Sequence, residues 1–125
     1  MDFKYNIVVD GYGGDNAPKC VIDAAVMAVN EIKNLKVYIT GKTDELNNLL
    51  SEQAYNKEQI ELIEAPEIIT NNESPTVAIK QKTNSSLVVA FDMLRKSEDI
   101  IGLVSAGSTG AVLTGGFLKL GRMPG

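Results

Sequence analysis

Histidine is absent from this chain of 125 residues. Its absence removes Ser-His-Asp and Cys-His catalysis and every histidine zinc site. Cysteine is almost absent. Cys20 stands alone, so no intrachain disulfide and no cysteine metal cluster can form. Without a histidine partner it is expected to be a passive thiol. Positive charge is scarce: 12 basic residues against 16 acidic ones leave a net charge of −4. A duplex nucleic-acid binder carries a basic footprint, so no nucleic-acid partner is expected. Long apolar runs are missing too. The runs that occur are only a few residues long, as in Ile7-Val8-Val9 or Leu87-Val88-Val89-Ala90, whereas a membrane span needs about 20 such residues. Met1-Asp2-Phe3-Lys4 offers no signal-peptide core, so the cytoplasm is the expected compartment. The sequons at Asn72 and Asn84 are then expected to be silent. No metal and no cofactor is expected. Chemistry must run on carboxylates, lysines, hydroxyls and backbone amides.

What remains is ordinary globular composition, 44% hydrophobic and 22% charged, which fits one folded unit rather than a disordered chain. Strand-like and helix-like segments alternate. Tyr5 to Asp10 is short, β-branched and stopped by glycines, and so predicts a buried strand. Asp15-Asn16-Ala17-Pro18 predicts a helix start with Asn16 or Asp15 as cap. Val21, Ala25, Val29 and Ile32 follow at helical spacing. Lys36 to Thr40 predicts a second strand. Thr43 is positioned to cap a short helix with the stripe Leu46, Leu49, Leu50. Ile60 to Ala65 predicts a third strand, and 70–75 an exposed loop. Two helical pieces follow, the longer from about Asn84 to Lys96 with Leu87, Phe91 and Leu94 on one face. Ile100 to Ser105 predicts a fourth strand, and Leu113, Phe117 and Leu120 a last helix. This alternation predicts an α/β fold, a parallel sheet flanked by helices, with residues 1–125 as a single unit. The end on Leu120-Gly121-Arg122-Met123-Pro124-Gly125 suggests a chain cut where another element begins.

Parallel sheets bind ligands beyond the carboxyl ends of their strands. Two such loops are rich in glycine and hydrogen-bonding groups. The first is Asp10-Gly11-Tyr12-Gly13-Gly14-Asp15-Asn16-Ala17-Pro18. Its glycines permit a tight turn and close backbone approach. Gly11 and Gly13 begin a dinucleotide fingerprint, but Asn16 occupies the third glycine position and the match fails. A plain β–α turn capped by Asp15 explains this loop about as well as ligand binding does. The second is Ser105-Ala106-Gly107-Ser108-Thr109-Gly110-Ala111. Hydroxyls and glycines at a predicted helix N-terminus suit phosphate or another oxyanion. Simple capping by Ser108 or Thr109 is the alternative. Gly115-Gly116 in the next helix costs roughly 1 kcal/mol per residue relative to alanine, so close approach of another segment or subunit is expected there.

Two further stretches invite comparison. Gly41-Lys42-Thr43 imitates a phosphate loop, but Lys36 stands where the first glycine is needed, so it is read as a turn. Lys80-Gln81-Lys82-Thr83-Asn84-Ser85-Ser86 runs a basic pair into a hydroxyl-rich helix start. Lys82 with Ser85 and Ser86 suits an anionic substrate. A solvated turn capped by Asn84 or Ser85 is the plainer reading, and on this stretch alone it is preferred.

Together these pieces resemble the PlsX family, the bacterial phosphate:acyl-ACP acyltransferases of phospholipid synthesis. The resemblance rests on Asp10-x-x-Gly13-Gly14-Asp15-Asn16-Ala17-Pro18, Ala65-Pro66-Glu67-Ile68-Ile69, Glu73-Ser74-Pro75, Lys82-Thr83-Asn84-Ser85-Ser86, Val104 to Ala111, and Gly121-Arg122, in that family's order. Two departures occur. Gly11-Tyr12 replaces the usual Ala-Met, and Ser108 stands where the family usually has asparagine. A hydroxyl replaces only part of that amide's bonding. The resemblance implies a three-layer α/β sandwich like the isocitrate and isopropylmalate dehydrogenases, with this chain as the N-terminal portion of a longer enzyme. It implies a homodimer that associates peripherally with membrane. It implies transfer of a fatty acyl group from acyl carrier protein to orthophosphate, giving acyl phosphate. A related transferase using acyl-CoA, an inactive truncated chain and a nucleotide-binding module are the alternatives. By resemblance the substrate-binding set is Asp10, Gly13, Gly14, Asp15, Asn16, Lys82, Ser85, Ser86, Ser105, Gly107, Ser108, Thr109 and Gly110. The resemblance names no catalytic residue.

Overall fold

A computed structural model describes residues 3–70, 73–107 and 115–116. In chain order the elements are β1 (Tyr5–Asp10), α1 (Lys19–Glu31), β2 (Leu35–Gly41), α2 (Thr43–Leu50), β3 (Ile60–Glu64), α3 (Pro75–Gln81), α4 (Ser86–Lys96) and β4 (Ile100–Val104). A single 3-10 turn, Lys57–Gln59, leads into β3. The strands form one parallel sheet in the order β3-β2-β1-β4. Val9 of β1 is registered against Ile39 on one side and Val104 on the other. The α/β class expected from the alternation is therefore the observed one.

Side chains alternate across a strand, so each strand feeds two cores. On one face Val37 and Ile39 pack with Ile22, Ala25, Val26 and Val29 of α1 and with Leu46 and Leu50 of α2. On the other, Val8 and Ile100 pack with Ala90 of α4. Ile79, Leu87, Val88 and Phe91 join α3 to α4 in a third cluster. Helices thus cover both faces, as apolar parallel strands require.

Three local expectations are corrected. The buried stripe of α1 is Ile22, Ala25, Val26 and Val29, while Ile32 lies past the helix end and is exposed. Neither Asp15 nor Asn16 caps α1. Residues 15–18 form a turn with a cis Ala17–Pro18 peptide, Pro18 takes the cap position, and no side chain caps the helix. The start is satisfied by main chain instead: the Asn16 carbonyl accepts from the Cys20 amide at 3.1 Å and the Pro18 carbonyl from the Ile22 amide at 3.0 Å. Thr43 does not cap α2. It is the first helical residue, and its hydroxyl donates to Glu64 at 3.3 Å.

Other expectations hold. Ser85, one of the two residues offered as cap, accepts from the Val88 amide at 3.2 Å. Gly115 is a close approach: a Cβ there would lie 2.5 Å from Phe91 Cε2 and 3.2 Å from Ile79 Cδ1. The rest of the predicted last helix lies outside the described residues.

One buried polar side chain joins the layers. Gln59 is 1% exposed, and its amide nitrogen donates to the carbonyls of Ile32 at 2.9 Å and Leu35 at 2.8 Å. It fastens the turn from α1 into β2.

Candidate functional site

β1 and β4 are neighbours, so their carboxyl-end loops emerge side by side. Asp10 ends β1 and is 3% exposed. Burying an ionised carboxylate is costly unless hydrogen bonds replace its water. Three donors do so, from three segments. The Tyr12 amide donates to Oδ1 at 3.1 Å, the Ser86 hydroxyl to Oδ1 at 2.5 Å, and the Ser105 hydroxyl to Oδ2 at 3.0 Å. Ser105 Oγ in turn accepts the Gly107 amide at 3.1 Å. Among the described residues no lysine or arginine pairs with Asp10.

The glycines explain the tightness. A Cβ on Gly13 would lie 2.8 Å from both the Gly107 nitrogen and Ser105 Oγ, and 3.0 Å from Asp10 Oδ2. Only glycine lets the first loop lie on the second. Gly14 has φ of +100°, a conformation that L side chains rarely adopt. Asp15 and Asn16 follow at the exposed rim. They border a cleft of about 520 Å³ that is also lined by Val9 and Val104 of the sheet and by Val21 and Ala24 of α1.

The α3–α4 connection supplies the third side. Thr40, at 0% exposure, donates to the Ser86 carbonyl at 2.7 Å. Ser86 is therefore held at both its carbonyl and its hydroxyl. Ser85 is buried and occupied as the helix cap. Lys82 Nζ donates to the Ile68 carbonyl at 2.8 Å and lies 2.7 Å from Glu73 Oε1. Lys82, together with the Thr70 amide, holds the Glu73 carboxyl below the usual carboxylate range. The Glu67 carbonyl accepts the Ser86 amide at 3.0 Å, tying the 66–75 segment to the start of α4.

The structure thus gathers Asp10, Gly13, Ser86, Ser105 and Gly107 into one contact network. Lys82 and Ser85 brace the segment beside it. Ser108, Thr109 and Gly110 lie outside the described residues. Three participants were not expected from the sequence: Tyr12, Thr40 and Glu73. Burial and the neighbouring Glu45, which accepts the Tyr12 hydroxyl at 2.8 Å, raise the Tyr12 phenol above its ordinary range. A threonine at the carboxyl end of a predicted strand is the one local signal that could have pointed to Thr40. Among the described residues no group of three acidic or cysteine side chains is placed to hold a metal ion.

A family model described as fatty acid synthesis protein matches residues 5–125. The chain belongs to that family. Among curated members, the phosphate acyltransferase of Clostridium perfringens is 44% identical over 119 residues, 95% of this chain and 35% of the relative. That of Clostridium novyi is 43% identical over 95% of this chain and 36% of its own length. That of Clostridium acetobutylicum is 39% identical over the same shares. This chain spans about a third of the length of these relatives. No helix among its described residues is long and apolar enough to cross a membrane.

Proposed function

We propose that residues 1–125 form one α/β unit of a phosphate acyltransferase that moves a fatty acyl group from acyl carrier protein to orthophosphate. The observation that carries the proposal is family membership shared with relatives named phosphate acyltransferase. The loop cluster at the carboxyl ends of β1 and β4 is the proposed substrate site. Within it Gly13, Gly14, Asp15, Asn16 and Gly107 form the proposed substrate-facing rim, and Ser108, Thr109 and Gly110 are proposed as further substrate-binding residues of the same loop. Asp10, Ser86 and Ser105 hold that rim in place, and Lys82 and Ser85 brace the segment beside it. A homodimer, peripheral contact with membrane and a role in phospholipid synthesis belong to the same proposal.

The chemistry suits a chain without histidine. Orthophosphate is already anionic at neutral pH, so no general base is needed to create the nucleophile. A phosphate oxygen attacks the thioester carbonyl, the C–O bond forms, and the C–S bond breaks. The carrier-protein thiolate leaves and takes a proton from water; a thiol of ordinary pKa about 8.5 is a tolerable leaving group. What the protein must supply is position and stabilisation of the developing oxyanion. Backbone N–H groups in glycine-rich turns supply both without a titratable side chain.

The test is thiol release from acyl carrier protein by the full-length protein, with and without phosphate. Release is expected only with phosphate, with acyl phosphate as product. Equal release without phosphate would mark a thioesterase and overturn the proposal. Equal efficiency with acyl-CoA would move the donor.

A further inference from the structure

We propose that Asp10 is a positioning residue, one that sets the two loops of the site through Ser86 and Ser105 and does not itself touch substrate. The inference rests on the acyltransferase reading for its kinetic consequence, but its structural basis is independent of it. A serine hydroxyl has one proton to donate. Ser86 and Ser105 both direct theirs at Asp10. With both protons committed to Asp10, neither hydroxyl is a donor toward an anion. Ser105 Oγ becomes an acceptor instead, and it fixes the Gly107 amide. Asp10 thereby dictates the backbone of the β4 loop two bonds removed from its own carboxylate.

Access points the same way. Asp10 is 3% exposed, and Gly13 lies so close that a Cβ there would come within 3.0 Å of Oδ2. The first loop lies against the carboxylate. A phosphate approaching the rim meets that glycine layer, not Asp10. Repulsion between two anions, otherwise an objection to an aspartate in a phosphate site, is relieved by this cover and by the three donors already on the carboxylate.

The experiment is a double-mutant cycle in the full-length protein with Asp10→Asn and Ser105→Ala. Each is expected to raise the phosphate KM about tenfold, the scale of one hydrogen bond to a charged group, with less effect on kcat. The double variant is also expected near tenfold, because both changes break one chain of contacts. Ser105→Thr, which keeps the hydroxyl, is expected to restore most of the loss. Amide hydrogen exchange supplies a readout that needs no activity: Gly107 is expected to exchange faster in both single variants. A hundredfold loss in the double variant, or Gly107 exchange unchanged in either single variant, overturns the positioning role. If Asp10→Asn does not fold, Ser86→Ala with Ser105→Ala carries the same exchange test. Should the wild-type protein show no phosphate-dependent transfer, the acyltransferase reading fails while Gly107 exchange still decides whether Asp10 sets the loop.

Discussion

Replacing Gln59 tests whether one buried amide holds the α1–β2 turn to β3. Its nitrogen serves two carbonyls, at 2.9 and 2.8 Å, from a position 1% exposed. Gln59→Leu removes both bonds and keeps similar bulk. At about 1 kcal/mol for each neutral bond, the loss is about 2 kcal/mol. In a unit of this size that lowers Tm by roughly 6–12 °C. Gln59→Glu is the sharper perturbation. A carboxylate accepts and cannot donate, so it would face two carbonyl oxygens in a buried site. Its folded pKa should lie above its unfolded value, because the charged form is both desolvated and repelled. A group with a raised folded pKa loses its contribution as pH rises through that value. Gln59→Glu should therefore be near the leucine variant at acid pH and fall well below it at neutral pH. Urea unfolding followed by circular dichroism, at several pH values, makes the comparison. Wild-type stability in Gln59→Leu, or a pH profile in Gln59→Glu parallel to that of the leucine variant, would refute the reasoning.

Two further outcomes follow from contacts beside the site. Because Glu73 is held below the usual carboxylate range by Lys82, the brace on the 66–75 segment should persist at neutral pH and fail as pH drops through the lowered value. Limited proteolysis of that segment should accelerate on acidification, and Glu73→Gln should cleave fast at every pH. Gly115→Ala should cost about 1–3 kcal/mol, since its Cβ would meet the Phe91 ring at 2.5 Å, and a second change, Phe91→Leu, should recover part of the loss in a melting experiment.

The strands were legible because a helix-covered parallel sheet favours short apolar runs rich in β-branched residues, and Ile7-Val8-Val9 of β1 and the Ile100, Ile101 and Val104 of β4 supply them. α4 was legible for a similar reason: Leu87 and Phe91 repeat at helical spacing, and the Ser85 cap lies in the adjoining sequence. The helix starts failed where local chemistry offered alternatives. Asp15, Asn16 and Thr43 all had the side chains of caps, but main-chain carbonyls serve α1 and Glu64 takes the hydroxyl of Thr43.

By itself the sequence determined the fold class, the parallel order of strand and helix, and the two glycine-rich loops on which a site would stand. These follow from periodicity and turn chemistry, which act over a few residues. Only the tertiary structure decided what the polar groups do. Ser86 and Ser105 lie 76 and 95 residues from Asp10, yet both spend their single proton on its carboxylate. A buried charge takes its donors from whatever segments packing brings near, and no local pattern records which those will be.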